Sequence, residues 1–372
     1  MKVLGLCTHP VEAAATRYRL VQYIEPLSEK GIDLTVSPFL TKEQFAELYK
    51  PGSKAKKAAS LLKSGGSRVF DSIRAKKFDA VIILREAMIF GPPVSEWIIK
   101  NIGKCPTILD LDDATYLKYI SPTYGRLGSF LKFFGKTDRL IDWAETVMCG
   151  NRHIAEYVRK RGTEAVIVPT VVDTDKFHPV EKSDGNIPVL GWIGTHSTYP
   201  FLKSLFPVFE KLAGKYKFVL RIVGAGESEI IVKGVKVENL EWSLDREIED
   251  FQTSDIGLYP MRTTELVNKE WLLGKSGFKA IQYMAVGIPF VVTPVGITAE
   301  MGIENKTHFA AENNDQWYKN LARLLESFEL RKTMGENGRN YSLGHYTVGR
   351  QAEVIADVLI KTVNDYNKLG NG

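Results

Sequence analysis

GKSGFKAIQYMAVGIPFVVTP, residues Gly274 to Pro294, is the stretch whose reading decides the fold. A loop containing glycines opens a helix that ends at Gly287, and Ile288-Pro289 lead from it into the apolar strand Phe290–Val292. At about 100° per residue, Lys275, Lys279 and Gln282 share one helical face, while Ile281 and Met284 fall on another. A helix N-terminus offers unpaired N–H groups and partial positive charge, so two lysines beside it form a candidate diphosphate cradle. A buried helix of an α/β sheet with solvated lysines accounts for the same local pattern.

On both sides of this segment short apolar runs alternate with amphipathic stretches. In the first half the candidate strands are Val3–Cys7, Ile32–Ser37, Ala80–Leu84, Thr107–Leu111, Thr146–Cys149 and Ala165–Val168. Helical patterns such as Ala15–Lys30 and Asn151–Arg161 separate them. The alternation lapses at Val172–Pro188, a polar stretch punctuated by Pro and Gly. It resumes with Val189–Ile193, Phe218–Val223, Val235–Val237, Ile256–Tyr259 and Phe290–Val292, and closes in helices near 316–327, 329–341 and 348–369. Strand, helix, strand at this spacing predicts an α/β protein with two Rossmann-like parallel-sheet domains. The expected division is 1–178, 179–346, and a terminal helix 347–372 returning to the first domain. Ligands of such sheets bind at the carboxyl ends of strands, so a cleft between the lobes is the expected site.

A chain of 372 residues is long for one core, in keeping with two domains. Charge is unevenly placed: residues 1–180 hold 27 Lys+Arg and 20 Asp+Glu, the remainder 22 and 24. The first half is therefore the one suited to an anionic surface or substrate. Lys50 to Lys77 concentrates the excess, with nine basic residues, one acid (Asp71), and apolar Ala58, Leu61, Leu62, Val69, Phe70 and Ile73 between them. That composition fits either a segment lying on anionic lipid or an ordinary solvated helix pair. Scarce aromatics and the absence of any recognised module argue against nucleic acid. Cys7, Cys105 and Cys149 form no CxxC pair and sit in or beside apolar runs, which predicts buried thiols rather than zinc or disulfides. No signal-peptide pattern precedes the first strand, and no apolar run approaches the ~18–20 residues that span a bilayer. A cytoplasmic protein is expected, with peripheral contact at the inner face of a membrane left open.

Several stretches carry a resemblance to a known group: ATRYR at 15–19, LDLDDATY at 109–116, GNRHIAEYV at 150–158, the hinge VPTVVDTDKFHP, GWIGTHST at 191–198, and QYMAVGIPFVVT. Together they resemble retaining family-four glycosyltransferases (glycosyl transferases group 1) of the GT-B fold. The resemblance implies transfer of a sugar from a nucleotide-sugar donor to a glycan or lipid-linked acceptor, in cell-surface polysaccharide or glycoconjugate synthesis. It implies no obligatory metal or other cofactor. The family carries two glutamates separated by seven residues; here Gln282 stands at the second position and Gly274 at the first. Glutamine can still bond ribose hydroxyls, and Lys275, beside the lost carboxylate, suits a diphosphate. The Arg and Lys that the family places after the first strand of the second lobe are replaced by Thr195, His196 and Lys203, with no arginine.

With these departures, Asp112 and Asp113, near the carboxyl end of the strand Thr107–Leu111, and Lys275, which takes the diphosphate charge in place of the absent residues, are the candidate catalytic residues. Donor binding is expected from Gly194, Thr195, Gly224, Gly226, Lys275, Ser276, Lys279 and Gln282, and acceptor-side contacts from Arg17, Arg19 and Asp110. Glu265 or Glu270 is an alternative source of the missing carboxylate. The acidic cluster Asp110-Asp112-Asp113 has a second reading, in which it caps the next helix or pairs with Arg85 or Arg126. Two other functions fit the chain less fully: a non-catalytic sugar-nucleotide-binding subunit, and a sugar-nucleotide epimerase of the same fold.

Overall fold

The computed structural model describes residues 1–48, 54–117, 133, 135–264 and 267–370. The first sheet consists of β1 (Lys2–Cys7), β2 (Asp33–Pro38), β3 (Ala80–Leu84), β4 (Thr107–Leu111), β5 (Thr146–Cys149) and β6 (Glu164–Ile167), in the order β2-β1-β3-β4-β5-β6. The second holds β7 (Val189–Ile193), β8 (Val219–Val223), β9 (Lys236–Leu240), β10 (Ile256–Tyr259), β11 (Phe290–Val292) and β12 (His308–Ala310), in the order β12-β11-β10-β7-β8-β9. All strand pairs in both are parallel. The expected fold class is thus observed. Central strands such as β3 (AVIIL) are buried along their whole length, so they read as unbroken apolar runs rather than alternations. The strand β12 was not foreseen, because three residues beginning with a histidine make no apolar run.

Packing divides the chain into two compact units, Met1–Thr170 with Gly274–Ser276 and Val348–Gly372, and Val171–Leu273 with Gly277–Thr347. Residues 171–178, expected in the first domain, belong to the second unit. There Arg339 donates to the carbonyls of Thr174 (3.0 Å) and Phe177 (2.7 Å), and the Phe177 ring meets Phe251 at 6.1 Å between centroids. The terminal helix Val348–Gly370 packs on the first unit, where Thr362 shares a hydroxyl hydrogen bond with Thr146 (3.0 Å). Leu4, Leu6, Val81, Ile83, Leu109, Val147 and their neighbours form the core of that unit; Leu190, Leu220, Ile222, Leu258 and Val291 lie in the core of the other.

The stretch expected to be one helix from Ala15 to Lys30 is broken into Ala14–Arg19, a 3-10 turn Val21–Tyr23, and Ile24–Ser28. Pro26 supplies the reason: it has no N–H for the carbonyl of Gln22, so a continuous helix would lose that bond. The helix of the deciding segment is shorter than its pattern suggests, Phe278–Ala285, and begins after Gly277 at φ +65°. Its end is as read. Gly287 takes φ +69°, its N–H bonds the carbonyl of Met284 (3.1 Å), and the Ile288 N–H bonds that of Tyr283 (3.1 Å). This is a Schellman termination, which a side chain at Gly287 would strain.

Against that turn lies the helix Phe328–His345, where a methyl group at Gly335 would stand 2.0 Å from the Gly287 carbonyl oxygen. Gly335→Ala is therefore expected to destabilise the second unit by about 2–3 kcal/mol, read from urea unfolding. A pH effect is also expected. His308 is 4% exposed and stacks on Phe290, and burial pushes its imidazole down to about 4. The unfolded chain protonates this ring below about pH 6.5 while the folded one resists, so its contribution is whole above that pH and is lost as pH falls to about 4. His308→Gln should flatten the fall in stability across that interval, an effect of order 3 kcal/mol.

Candidate functional site

The carboxyl ends of β3 and β4 bring together most of the first unit's candidate residues. Asp110, still within β4, is fully buried and receives Arg19 as a fork: Nε donates to Oδ2 at 2.9 Å and Nη2 to Oδ1 at 2.5 Å. The remaining Arg19 nitrogen donates to the carbonyl of Val168 (2.6 Å) and the hydroxyl of Thr170 (3.4 Å). Arg19 is 2% exposed. The acceptor-side expectation for these two residues is corrected: each is occupied by the other, and together they tie the helix Ala14–Arg19 to β4 and to the end of β6. Arg17 does not join them. Its guanidinium donates to the carbonyls of Glu12 (2.8 Å) and Val11 (3.2 Å) and lies over the Tyr18 ring.

One turn further, Asp112 is gripped by Arg85 through two bonds of 2.5 and 2.6 Å. Arg85 follows β3 in a left-handed conformation, φ +63°, which L side chains seldom adopt. Burial pushes the Asp112 carboxyl up, yet the adjacent guanidinium outweighs burial and holds it below the usual carboxylate range. Arg85 also reaches Oδ2 of Asp113 (3.4 Å), and the same oxygen accepts from Lys275 Nζ at 3.2 Å. Cation, anion, anion, cation thus follow in series: Arg85, Asp112, Asp113, Lys275. The paired reading of the acidic cluster holds for Arg85; Arg126 and Glu265 lie outside the described residues. Oδ1 of Asp113 is buried without a hydrogen-bond partner among the described residues. Among those residues no group of three or more His, Cys, Asp or Glu side chains is arranged to hold a metal ion.

The placement of Lys275 corrects the helical reading of the deciding segment. It precedes the N-terminal cap Gly277, so it cannot share a helical face with Lys279 and Gln282. Gly274–Ser276 instead packs with the first unit. A side chain at Gly274 would meet Ala114 at 2.2 Å, and Asn151 Nδ2 donates to the Lys275 carbonyl at 2.8 Å. Asn151 was not singled out from the sequence. Its signal was nonetheless there, an asparagine opening the helix Arg152–Lys160, where Oδ1 accepts from the Ile154 N–H (2.9 Å).

In the second unit, the loops after β7 and β8 meet. The Gly194 N–H bonds the Val223 carbonyl (3.0 Å), and a side chain at Gly224 would stand 2.5 Å from the Gly194 carbonyl oxygen. Gly226 lies beside His196. The Thr195 carbonyl accepts from the Thr198 and Tyr199 N–H groups, both at 2.9 Å, at the start of the helix Tyr199–Lys203. Sheet order reverses between β7 and β10, which is where ligands of such sheets bind. Lys279 lies over the Tyr259 ring, 5.9 Å from its centroid, at the end of β10. Gln282 is 3% exposed. Glu270 sits in the helix Lys269–Leu273.

Two Rossmann-like units, each with a six-stranded parallel sheet, place the chain in the GT-B fold class. Solved structures agree along almost the whole chain. A glycosyltransferase from Rickettsia africae superposes with TM-score 0.68 at 13% identity, covering 97% of this chain and 98% of its own. Sucrose-phosphate synthase from Thermosynechococcus elongatus gives 0.67 at 13% (97% and 99%), and Anabaena HepE in complex with UDP-glucose gives 0.66 at 14% (97% and 100%). Residues 187–327 match the family model described as glycosyl transferases group 1. Comparison with curated protein sequences finds no match. The family-model match and the solved structures agree with the resemblance read from the sequence at the level of glycosyl transferases group 1 and the GT-B fold.

The Arg19–Asp110 pair offers a direct test of its structural role. Removing one partner strands a buried charge, so Asp110→Ala should cost the first unit about 3–5 kcal/mol in urea unfolding. The double apolar replacement Arg19→Met with Asp110→Leu should recover most of that loss.

Proposed function

We propose that the chain is a retaining glycosyltransferase that moves a sugar from a nucleotide-sugar to a glycan or lipid-linked acceptor, within polysaccharide or glycoconjugate synthesis in the cytoplasm. One observation carries the reading. The family match at residues 187–327 encloses every candidate donor residue: Gly194, Thr195, Gly224, Gly226, Lys275, Ser276, Lys279 and Gln282. Neighbours of the same fold support a uridine nucleotide as donor, since HepE has been solved with UDP-glucose and an α-glucosyltransferase with UDP.

In this reading the leaving diphosphate is the group that needs stabilising as the bond to the sugar breaks. Lys275 and Lys279 supply positive charge, Ser276 and the N–H groups at the start of the helix Phe278–Ala285 supply donors, and Gln282 bonds the ribose. The glycines after β7 and β8 let backbone approach the nucleotide closely. Asp113 is preferred over Asp112 as the catalytic carboxylate, because both Asp112 oxygens are engaged by Arg85 while Asp113 keeps one oxygen, a buried one, without a hydrogen-bond partner among the described residues. Its role is to orient the acceptor hydroxyl and receive its proton. We assign no metal to the reaction.

Lys275 is held by Asp113 in the structure, so a diphosphate competes with that carboxylate for the ammonium group. Two substitutions separate the roles. Lys275→Ala should weaken nucleotide-diphosphate binding and lower transfer by about 100-fold or more. Asp113→Asn should lower transfer similarly while leaving diphosphate affinity equal or tighter. Binding is read by thermal shift with UDP-, GDP- and ADP-sugars; saturation at 100 times Kd corresponds to about 2.7 kcal/mol. A chain that responds to none of the three donors is not this enzyme, and inverted anomeric configuration in the product rules out retention.

A further inference from the structure

The basic stretch singled out in the sequence forms a helix, Lys54–Arg74, with two unlike faces. The inner face is fastened to the first sheet by polar groups. Arg68, 1% exposed, donates to the carbonyls of Cys7 (3.0 Å) and Ser37 (2.9 Å). Ser72 is bonded to the Arg68 carbonyl and to the Ser95 hydroxyl, and Gln44 bonds Ser60 and Ser64. Asp71, the stretch's one acid, faces inward to the Ser37 hydroxyl (2.7 Å). The outer face carries Leu62, Phe70 and Ile73, exposed by 78, 60 and 41%. At 100° per residue these three lie within about 80° of one another, on a single ridge. Lys63, Arg74, Lys76 and Lys77 are exposed around it, and the Arg74 guanidinium lies over the Phe70 ring. No exposed acid stands among residues 57–77.

We propose that this outer face docks on an anionic lipid bilayer, with Leu62, Phe70 and Ile73 entering the headgroup boundary and the surrounding cations meeting lipid phosphates. Three exposed aliphatic and aromatic side chains in one line are unusual for a solvated helix, and a rim of one charge sign selects an anionic surface. Arg68 contributes by fixing the helix to the sheet, so the ridge is presented without a folding step. The chain lies on the membrane rather than through it: among the described residues no helix is long and apolar enough to cross one. Val94, Trp97 and Ile102, on the segment packed beside this helix, are also exposed and extend the apolar surface of the same unit. The docking does not depend on sugar transfer.

The test is co-sedimentation of the full chain with phosphatidylcholine vesicles, alone or with about 30% phosphatidylglycerol. Binding is expected only with the anionic lipid, and should weaken as salt rises. Leu62→Ser, Phe70→Ser and Ile73→Ser together should lower the partition coefficient by about 10-fold or more at an unchanged melting temperature, and so should Lys63→Glu, Arg74→Glu and Lys77→Glu together. The charge-reversal set keeps the test decisive should the serine variant fold poorly. Absence of binding to anionic vesicles overturns the proposal, as do variants that bind like the parent. Loss of a concentration-dependent dimer in the serine variant, with vesicle binding unaffected, would assign the ridge to a second copy of the chain instead.

Discussion

The first unit rests on charge neutralisation at the carboxyl edge of its sheet. Parallel strands deliver backbone and side-chain groups to that edge in a crowded, poorly hydrated place, where an unpaired carboxylate is costly. Asp110, in β4, and Asp112, just past its end, are both buried, and each is met by its own guanidinium. Arg19 comes from the helix after β1, and Arg85 from the turn after β3, so the pairs also fix how those connections leave the sheet. Asp113 completes the series as the carboxylate least enclosed by its partners, with Lys275 on one oxygen.

That arrangement separates structural charges from chemically available ones. Arg19 and Asp110 have no exposure to spend on a ligand, and a bidentate fork leaves Asp112 little freedom. Asp113 and Lys275 meet at 3.2 Å, and both side chains retain about a quarter of their exposure. A part-exposed ion pair can exchange partners; a fully buried fork cannot do so without exposing a bare charge. The left-handed backbone of Arg85 is consistent with this division, since strain is retained where a side chain must be aimed.

The second unit is organised by backbone rather than charge. Its glycine turns after β7 and β8 are close-packed on each other, and the Schellman turn at Gly287 sets the approach to β11. The turn at Gly287 follows from local steric rules and was legible in the sequence, whereas the packing of the two glycine turns on each other joins residues 30 apart and was not. The end of the helix at Val286-Gly287-Ile288-Pro289 and the strands β3, β4, β5, β7, β10 and β11 were read on their correct residues. Starts of helices were read less well. A lysine two residues before a cap continues a helical pattern in the sequence, and Pro26 interrupts a pattern that its apolar neighbours maintain. Asn151 escaped notice for a related reason: an N-cap asparagine is visible locally, but its second bond, to a carbonyl 124 residues away, is not.

The sequence by itself determined the two parallel sheets, the turn chemistry between their elements and the uneven distribution of charge, because these depend on neighbours within a few residues. Only the tertiary structure decided which charges are spent on one another. A row of aspartates looks alike along the chain whether its members face guanidinium groups or solvent. Asp110, Asp112 and Asp113 were separated when folding brought Arg19, Arg85 and Lys275 to them from 91, 27 and 162 residues away. The energy of a charge is set by what lies within a few ångströms of it in space, and the order of residues does not record that.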